Sequence, residues 1–328
     1  MAAVAGALAA LTLEEKVRLL TGRDFWTTWP LEKIGLRRIL VSDGPSGVRG
    51  ETWDERDPSL NLPSATALAS SWDPDIARRY GAAAAVEARR KGVDVVLGPT
   101  INLHRSPLGG RHFEAFSEDP VLTADLAAAY VRGVQDNGVG ATPKHYVAND
   151  SETDRFTVDV RVSDRALREL YLLAFEKAVT EARAWLVMSS YNSVNGTTVT
   201  ENELLETPLN REWGFDGVVI SDWTAVRSLD SARAARTWSC LVLADPGGTP
   251  WCGRSGPARS PRRPWTARSS ASSTSRAGSV RSAASPPPSR PGPRTASPSP
   301  GTPPPRAPSC WRTGTSCRGT RPGCVRSR

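Results

Sequence analysis

Residues 217–223 read GVVISDW, and this stretch decides the fold. Val218, Val219 and Ile220 form an apolar run in which polar and apolar residues do not alternate. A strand that is apolar on both faces is typical of a parallel sheet covered by helices. The run leads into Asp222, and a carboxylate at the end of a buried strand is costly unless it is paired or used in chemistry.

Four other short apolar runs precede this one, and segments with helical periodicity lie between them. The candidate strands are residues 39–41, 93–97, 140–142 and 185–188, together with 218–220. The candidate helices are residues 77–91, 120–137 and 164–182. Strands that alternate with helices predict an α/β fold with a largely parallel sheet.

Each candidate strand is followed by polar residues. The five ends read VSDGPSGVR, VVLGPTINLHR, ATPKHYVAND, VMSSYNSVNG and VVISDW. In a parallel α/β fold the carboxyl ends of the strands share one edge, and ligands bind there. In a closed barrel that edge is the face on which catalytic residues from several strands converge. We therefore favour a site on the face of a TIM-type barrel over a purely structural role for these residues.

The composition changes abruptly near residue 236. Beyond it lie all five cysteines, 17 of the 27 prolines and 15 of the 42 basic residues, but only one of the 34 acids, Asp245. The net charge of +8 therefore combines a front part of −6 with a tail of +14. The tail has few large apolar residues and no periodicity, which predicts disorder. We divide the chain into a domain at residues 1–236 and an Arg/Pro/Ser-rich tail at residues 237–328.

Residues 1–236 give few indications of the cellular compartment in which the protein resides. They include no cysteine, which is compatible with a reducing environment. The N-terminus lacks the positively charged segment with which a signal peptide begins. No stretch approaches the roughly 20 apolar residues of a membrane span. Thr12 and Glu15 have the spacing of a capping box at the start of a helix. We expect a soluble, cytoplasmic protein that does not contact a membrane.

Five ordered motifs resemble one enzyme family. SDGPSGVR, GPTINLHRSPLGGRHFEAFSEDP, KHYVANDSETDR, MSSYNSVNG and GFDGVVISDW are similar, in this order, to the N-terminal domain of glycoside hydrolase family 3. The similarity is to its β-glucosidase-like branch and covers roughly residues 11–235. It implies a (β/α)8-like barrel, often incomplete in this branch, and release of terminal β-glycosyl residues with retention. The loop that carries a histidine acid/base in the N-acetylglucosaminidase branch is absent.

The resemblance assigns the nucleophile to Asp222, the aspartate of the SDW motif. A retaining glycosidase needs one carboxylate that attacks the anomeric carbon and a second carboxyl about 5–5.5 Å away. Trp223 would form an apolar wall against the sugar. Asp43, in SDGPSG, would bind sugar hydroxyls. Read without the resemblance, Asp222 could instead cap the next helix, and Asp43 could be a turn aspartate.

The basic residues of the motifs are the other implied sugar ligands. Lys144 and His145 form the KH pair that binds hydroxyls in the family, and a surface basic pair is the alternative. Arg111 would bind the sugar or orient Asp43, and Arg49 and Arg155 would line the same pocket. His112 stands where an asparagine is frequent.

Two further residues match family positions beside the nucleophile. The Tyr191 hydroxyl could steady the Asp222 carboxylate, and Met188 could pack on the sugar, although both could be plain core residues. We predict no cofactor and no metal. The expected substrate is a β-linked glucoside or oligosaccharide, with β-xylosidase-type specificity as an alternative.

The acid/base glutamate of this branch comes from a second domain that no part of the tail resembles. We interpret the change near residues 232–244 as a frame change in a GC-rich gene, and we expect the activity of this chain to be weak or absent. The alternative is a sugar-binding module whose basic arm contacts the phosphates of a nucleic acid. The lack of lysine and the many cysteines and prolines argue against such an arm.

We predict that a protease of broad specificity removes residues 245–328 while the front part survives, because an unpacked segment is open to cleavage. Limited proteolysis followed by mass spectrometry of the surviving fragment measures this. Tail peptides that persist as long as those of the front part would contradict the prediction.

Overall fold

A computed structural model describes residues 2–52, 54–228 and 240–241, and all of them belong to one compact unit. In chain order, its strands are β1 Val41–Ser42, β2 Val95–Val96, β3 Gly140–Ala141, β4 Asp159–Val160, β5 Leu186–Ser189, β6 Ser193–Val194, β7 Thr197–Thr198, β8 Val218–Ser221 and β9 Cys240–Leu241. Its α-helices are α1 Ala2–Ala9, α2 Leu13–Leu19, α3 Ala65–Ala69, α4 Pro74–Arg90, α5 Pro120–Gln135, α6 Asp164–Ala166 and α7 Leu173–Thr180. Short 3-10 turns lie at Glu32–Ile34, His112–Glu114, Val199–Glu201 and Glu203–Leu205, and π-helical turns at Leu167–Tyr171 and Glu206–Asn210.

Six of these strands run parallel to one another in the order of the sequence. β1 pairs with β2 and β2 with β3, while β5 pairs with β8 and β8 with β9. The two sheets meet where Tyr146, just past β3, bridges Ser189 of β5. There the Tyr146 N–H donates to the Met188 carbonyl at 2.6 Å. The prediction of an α/β fold with parallel strands is confirmed.

The apolar runs located the strands well. The five strands predicted from the sequence correspond to β1, β2, β3, β5 and β8, with ends that differ by at most two residues. The small sheet of β4, β6 and β7 was not predicted, because its residues show neither an apolar run nor clear alternation. β9 lies just beyond the predicted boundary at residue 236. That boundary and the proposed disorder of the tail fall on residues that, apart from β9, the structure does not describe.

The helices begin where the sequence supplies caps. Thr12 and Glu15 form the predicted capping box of α2, in which the Thr12 hydroxyl accepts the Glu15 N–H and the Glu15 carboxylate accepts the Thr12 N–H. At α4 and α5 the carboxylates of Asp73 and Asp119 accept backbone N–H groups of the first helical turn, and each aspartate is followed by a proline at the first helical position. Within the described ranges, no helix has the length and hydropathy that crossing a membrane requires.

The alanine-rich helices α4 and α5 pack closely against each other. A Cβ atom added at Gly133 would lie 2.1 Å from the Arg78 carbonyl oxygen, and one at Gly81 would lie 2.4 Å from the Tyr130 carbonyl oxygen. Both neighbours are backbone atoms that cannot turn aside. The two glycines therefore allow the backbones to approach, which keeps the helices against the sheet that carries the polar strand ends.

We predict that Gly133→Ala lowers the free energy of unfolding by about 1–3 kcal/mol, because the added methyl group forces the helix backbones apart. Gly6→Ala is the matched control. Gly6 lies in α1 with nothing within 4 Å of its added Cβ, so this change should be neutral or stabilising by up to about 1 kcal/mol. Urea denaturation measures both. Equal stability of the two variants would contradict the close packing.

Candidate active site

The polar residues at the ends of the parallel strands lie in one group. Lys144 contacts Asp43, Tyr191 contacts Asp222, and His145 lies between Asp222 and Arg111. These contacts join residues that follow β1, β3, β5 and β8 and that are up to 179 positions apart in the numbering. The group comprises Asp43, Arg111, Lys144, His145, Tyr191 and Asp222.

Hydrogen bonds to its backbone and to its carboxylate hold Asp222 at the end of β8. Its own N–H donates to the Ser189 carbonyl at 3.0 Å and so continues the pairing with β5. One carboxylate oxygen, Oδ1, accepts the Trp223 N–H at 2.8 Å and the Tyr191 hydroxyl at 3.0 Å. Residues 223–228 contain no helix, so Asp222 does not act as a helix cap. The carboxylate is thus fixed in one orientation, with Oδ2 lying 3.6 Å from His145 Nε2.

The pKa of Asp222 reflects two opposing effects. The residue is only 7% exposed, and burial raises the pKa of its carboxyl above the usual value. The Trp223 N–H, the positive charge of Lys144 and the Tyr191 hydroxyl act in the opposite direction and limit the rise. The surrounding donors and cations therefore favour the charged form of the carboxylate, against the effect of burial.

Lys144 and Asp43 form an ion pair across the site. The Lys144 ammonium lies 2.8 Å from Asp43 Oδ1, and Lys144 is 3% exposed while Asp43 is half-buried. Burial opposes ionisation of Asp43, but the charge and hydrogen bond of Lys144, the Gly44 N–H and the charge of Arg49 together outweigh it and hold the pKa of Asp43 below its usual value. Lys144 is therefore not a surface residue. Asp43 is therefore more than a turn residue, because its carboxylate forms an ion pair with Lys144.

His145 is held as a neutral ring with a defined tautomer. The Asn102 side-chain nitrogen donates to the His145 carbonyl at 2.9 Å, so the Asn102 oxygen faces the His145 N–H and Nδ1, at 2.8 and 3.0 Å. Nδ1 must then carry the proton, and Nε2 is an acceptor. Burial, reinforced by Lys144, Arg111 and Arg155, holds the pKa of His145 well below its usual value. Nε2 lies 3.6 Å from Asp222 Oδ2, so two acceptors face the same space.

Arg111 and Arg155 belong to a charged network that the sequence analysis did not identify. Arg111 Nη2 lies 2.6 Å from Glu114 and Nη1 lies 3.5 Å from Glu152, and Glu152 also binds Arg155 at 2.8 Å. Each close pair has residues three positions apart, and this spacing was the available signal. The two glutamates fix the guanidinium groups so that both arginines are oriented before any ligand binds.

Trp26, which the sequence also did not indicate, packs against Trp223, the residue that follows Asp222. The rings of Trp26 and Trp223 have centroids 5.2 Å apart, and the Arg49 guanidinium lies 4.0 Å from the centre of the Trp26 ring. This places Arg49 on an aromatic face. Met188 is buried in the apolar cluster against which Trp26 and Trp223 also pack. Nothing around Trp26 in the sequence indicated this role.

An open pocket of about 280 Å³ adjoins Arg111 and His145. Asn149 in its wall is buried, and neither of its side-chain polar atoms has a hydrogen-bond partner. Burial raises the pKa of the neighbouring Asp150 to about 6, although the Leu103 N–H bound to it acts in the opposite direction. Buried polar groups normally find partners, so this wall is suited to polar ligands or water. Among the described residues, no group of three or more acidic, histidine or cysteine side chains is arranged to hold a metal ion.

The arrangement suits one kind of chemistry. A fixed, buried carboxylate with one oxygen free of the Trp223 and Tyr191 hydrogen bonds can attack an electrophilic carbon. The ammonium, guanidinium and imidazole groups around it can bind several hydroxyl groups at defined positions. The aromatic rings beside it offer an apolar wall.

Known proteins are similar to this chain in sequence and in fold. Residues 27–239 match the sequence model of the glycosyl hydrolase family 3 N terminal domain. A β-glucosidase from Rhizobium radiobacter is 52% identical over 218 residues, which are 66% of this chain and 27% of that protein. The thermostable β-glucosidase B of Acetivibrio thermocellus is 48% identical over 224 residues, 66% of this chain and 30% of that protein.

Solved structures agree with these sequence matches. β-Glucosidase 3B from Thermotoga neapolitana in complex with glucose has a TM-score of 0.67 at 42% identity, covering 71% of this chain and 35% of that one. The β-glucosidase from Kluyveromyces marxianus in complex with glucose has a TM-score of 0.70 at 39% identity, covering 78% of this chain and 29% of that one. This chain therefore spans about a quarter to a third of the length of its relatives. The family model covers well over half of the sequence, and the chain belongs to glycosyl hydrolase family 3.

Proposed function

We propose that this site cleaves β-linked glucosides with retention and that Asp222 is the nucleophile. The observation that carries the proposal is the position of Asp222: buried at the end of β8, with Oδ1 held by Trp223 and Tyr191 and Oδ2 3.6 Å from Nε2 of His145, a residue that lines the pocket. The relatives named above are β-glucosidases, and two of the similar solved structures contain glucose.

The reaction would proceed in two steps. Asp222 Oδ2 attacks the anomeric carbon while the bond to the leaving oxygen breaks, which gives a glycosyl ester on Asp222. Water then attacks the same carbon and releases the sugar with its original configuration. A proton must reach the leaving oxygen in the first step unless the leaving group is a stable anion.

The remaining residues would bind the sugar. Lys144 and Asp43 together offer donors and acceptors to a pair of neighbouring hydroxyls. His145 Nε2 and Asp222 Oδ2 form a pair of acceptors suited to a hydroxyl donor between them. Arg111, fixed by Glu114, adds a charged donor at the same edge.

Arg49, Arg155 and the apolar residues have supporting roles in this proposal. Arg155 lies above the Tyr191 ring and adds positive charge near the nucleophile. Arg49 and Trp223 both contact the Trp26 ring, and the two tryptophan rings would form the apolar side of the pocket. Met188 supports Trp223 from the cluster below.

We also propose that the parallel strands β1, β2, β3, β5 and β8 are part of a (β/α)8-like barrel and that the barrel domain ends near residue 236, just before β9. The sequential, parallel order of the strands supports this, because barrel strands follow one another in that way. Catalytic residues at the carboxyl ends of several strands are typical of such barrels.

Trapping of the glycosyl ester tests the nucleophile directly. We predict that 2,4-dinitrophenyl 2-deoxy-2-fluoro-β-D-glucoside labels the peptide that carries Asp222, detected by mass spectrometry. Its leaving group departs as a stable phenolate, so no proton donor is required, and fluorine slows hydrolysis of the ester. The corresponding β-xyloside, run in parallel, distinguishes the two sugar specificities.

Asp222→Ala should abolish the labelling. Asp216→Ala, which removes an exposed aspartate six residues away, should label like the unchanged chain. Label on a different carboxylate, or label that persists in Asp222→Ala, would overturn the assignment.

The pH dependence of trapping tests the role of Tyr191. Only ionised Asp222 attacks, so the rate should fall as the pH drops through its raised pKa. The Tyr191 hydroxyl lowers that pKa. We therefore predict that Tyr191→Phe moves the acid limb of the rate profile to higher pH, because the charged carboxylate loses a hydrogen bond.

Tyr171→Phe is the matched control, because the Tyr171 hydroxyl binds Arg105 instead of the nucleophile. Its acid limb should stay in place. An acid limb of Tyr191→Phe that is unchanged or shifted to lower pH would show that the hydroxyl does not stabilise the charged carboxylate.

A further inference from the structure

We propose that Phe156 is the surface on which an aromatic leaving group lies, so that this residue favours aryl β-glucosides among possible substrates. The inference rests on the proposed function, since it requires that a sugar occupies the pocket beside Asp222. It adds a residue for the part of the substrate beyond the glycosidic oxygen.

One ring contact and one hydrogen bond connect Phe156 to the nucleophile. The rings of Phe156 and Tyr191 meet edge to face, with centroids 4.6 Å apart and an angle of 65° between their planes. The Tyr191 hydroxyl in turn donates to Asp222 Oδ1 at 3.0 Å. A ring in this position is close enough to contact a group bonded to the sugar that Asp222 attacks.

Charged groups hold the Phe156 ring in place. The Arg155 guanidinium lies 4.9 Å from the centres of both the Phe156 and the Tyr191 rings, and Glu152 binds Arg155 at 2.8 Å. Arg227 donates to the Tyr191 carbonyl at 2.8 Å and also to the Phe156 carbonyl, which joins the two backbone segments. A fixed ring loses little conformational entropy when a ligand stacks on it.

Exposure places Phe156 at the outer edge of the site. Lys144, His145, Tyr191 and Asp222 are all buried, whereas the Phe156 residue is 49% exposed. A sugar bound by the buried groups would fill the inner pocket, and the bond to the leaving group would point towards solvent. Single exposed apolar residues are ordinary on protein surfaces. This one differs because it is fixed against the ring that orients the nucleophile.

The apolar, flat ring of Phe156 favours an aromatic leaving group. Phenylalanine has no hydrogen-bonding group, so it distinguishes ligands by flat apolar area alone. Two aromatic rings in contact contribute roughly 0.5–1.5 kcal/mol beyond the area that they bury. This corresponds to a two- to tenfold difference in binding constant. An aryl group would gain from this contact, and a free sugar that lacks such a group would not.

Binding of two ligands to the 328-residue chain tests the proposal. The ligands are D-glucose and phenyl 1-thio-β-D-glucopyranoside, whose sulfur-linked phenyl group resists hydrolysis, and calorimetry gives both dissociation constants. We expect Phe156→Ala to weaken binding of the thioglucoside by about two- to tenfold and to leave glucose binding within about twofold. Phe156→Tyr retains the ring and should bind both ligands like the unchanged chain.

Leu170→Ala is the control for loss of an exposed apolar side chain elsewhere, and it should change neither constant. Thermal unfolding of every variant identifies any loss of folding. Equal weakening of both ligands by Phe156→Ala, or no weakening of either, would overturn the assignment to the leaving group. Failure of the unchanged chain to bind either ligand would overturn the proposed function itself and the Phe156 assignment with it.

Discussion

The buried ion pair between Lys144 and Asp43 is the constraint on which the site depends. The two residues are 101 positions apart in the sequence, yet their charged atoms lie 2.8 Å from each other. An ammonium group that is 3% exposed costs several kcal/mol to bury unless it is paired. The ends of β1 and β3 must therefore keep their register across β2. That register, Val41 with Val95 and Val95 with Gly140, is the one that brings the polar strand ends together.

The charge of Lys144 also sets the protonation of its neighbours. Together with burial it keeps His145 neutral, so that Nε2 accepts hydrogen bonds. It also opposes the effect of burial on Asp222 and favours the carboxylate that a nucleophile requires. Asn102 adds the one uncharged constraint by fixing the His145 tautomer. One buried cation thus favours both a neutral imidazole acceptor and a charged carboxylate, which face the same space.

Much of this arrangement could be predicted from the sequence, and the reason is physical. The strands are short apolar runs and the polar residues follow them directly, so GVVISDW and KHYVAND located Asp222 and Lys144 at strand ends. The ordered motifs then gave the family. Contacts between distant segments were not visible in this way. Trp26 lies in a loop without periodicity, and its contact with Trp223 depends on the tertiary fold.

Glu114 and Glu152 were missed for a different reason. Their spacing of three residues from Arg111 and Arg155 was visible, but such pairs occur on many surfaces and contribute little when exposed. Only the half-buried setting beside His145 gives them a role.

The crystal structure of this chain with bound D-glucose is the most direct test. The account predicts a sugar between the Lys144–Asp43 pair and Trp223, with its anomeric carbon facing Asp222 Oδ2. Glucose bound away from Lys144, or with its anomeric carbon turned from Asp222, would contradict it.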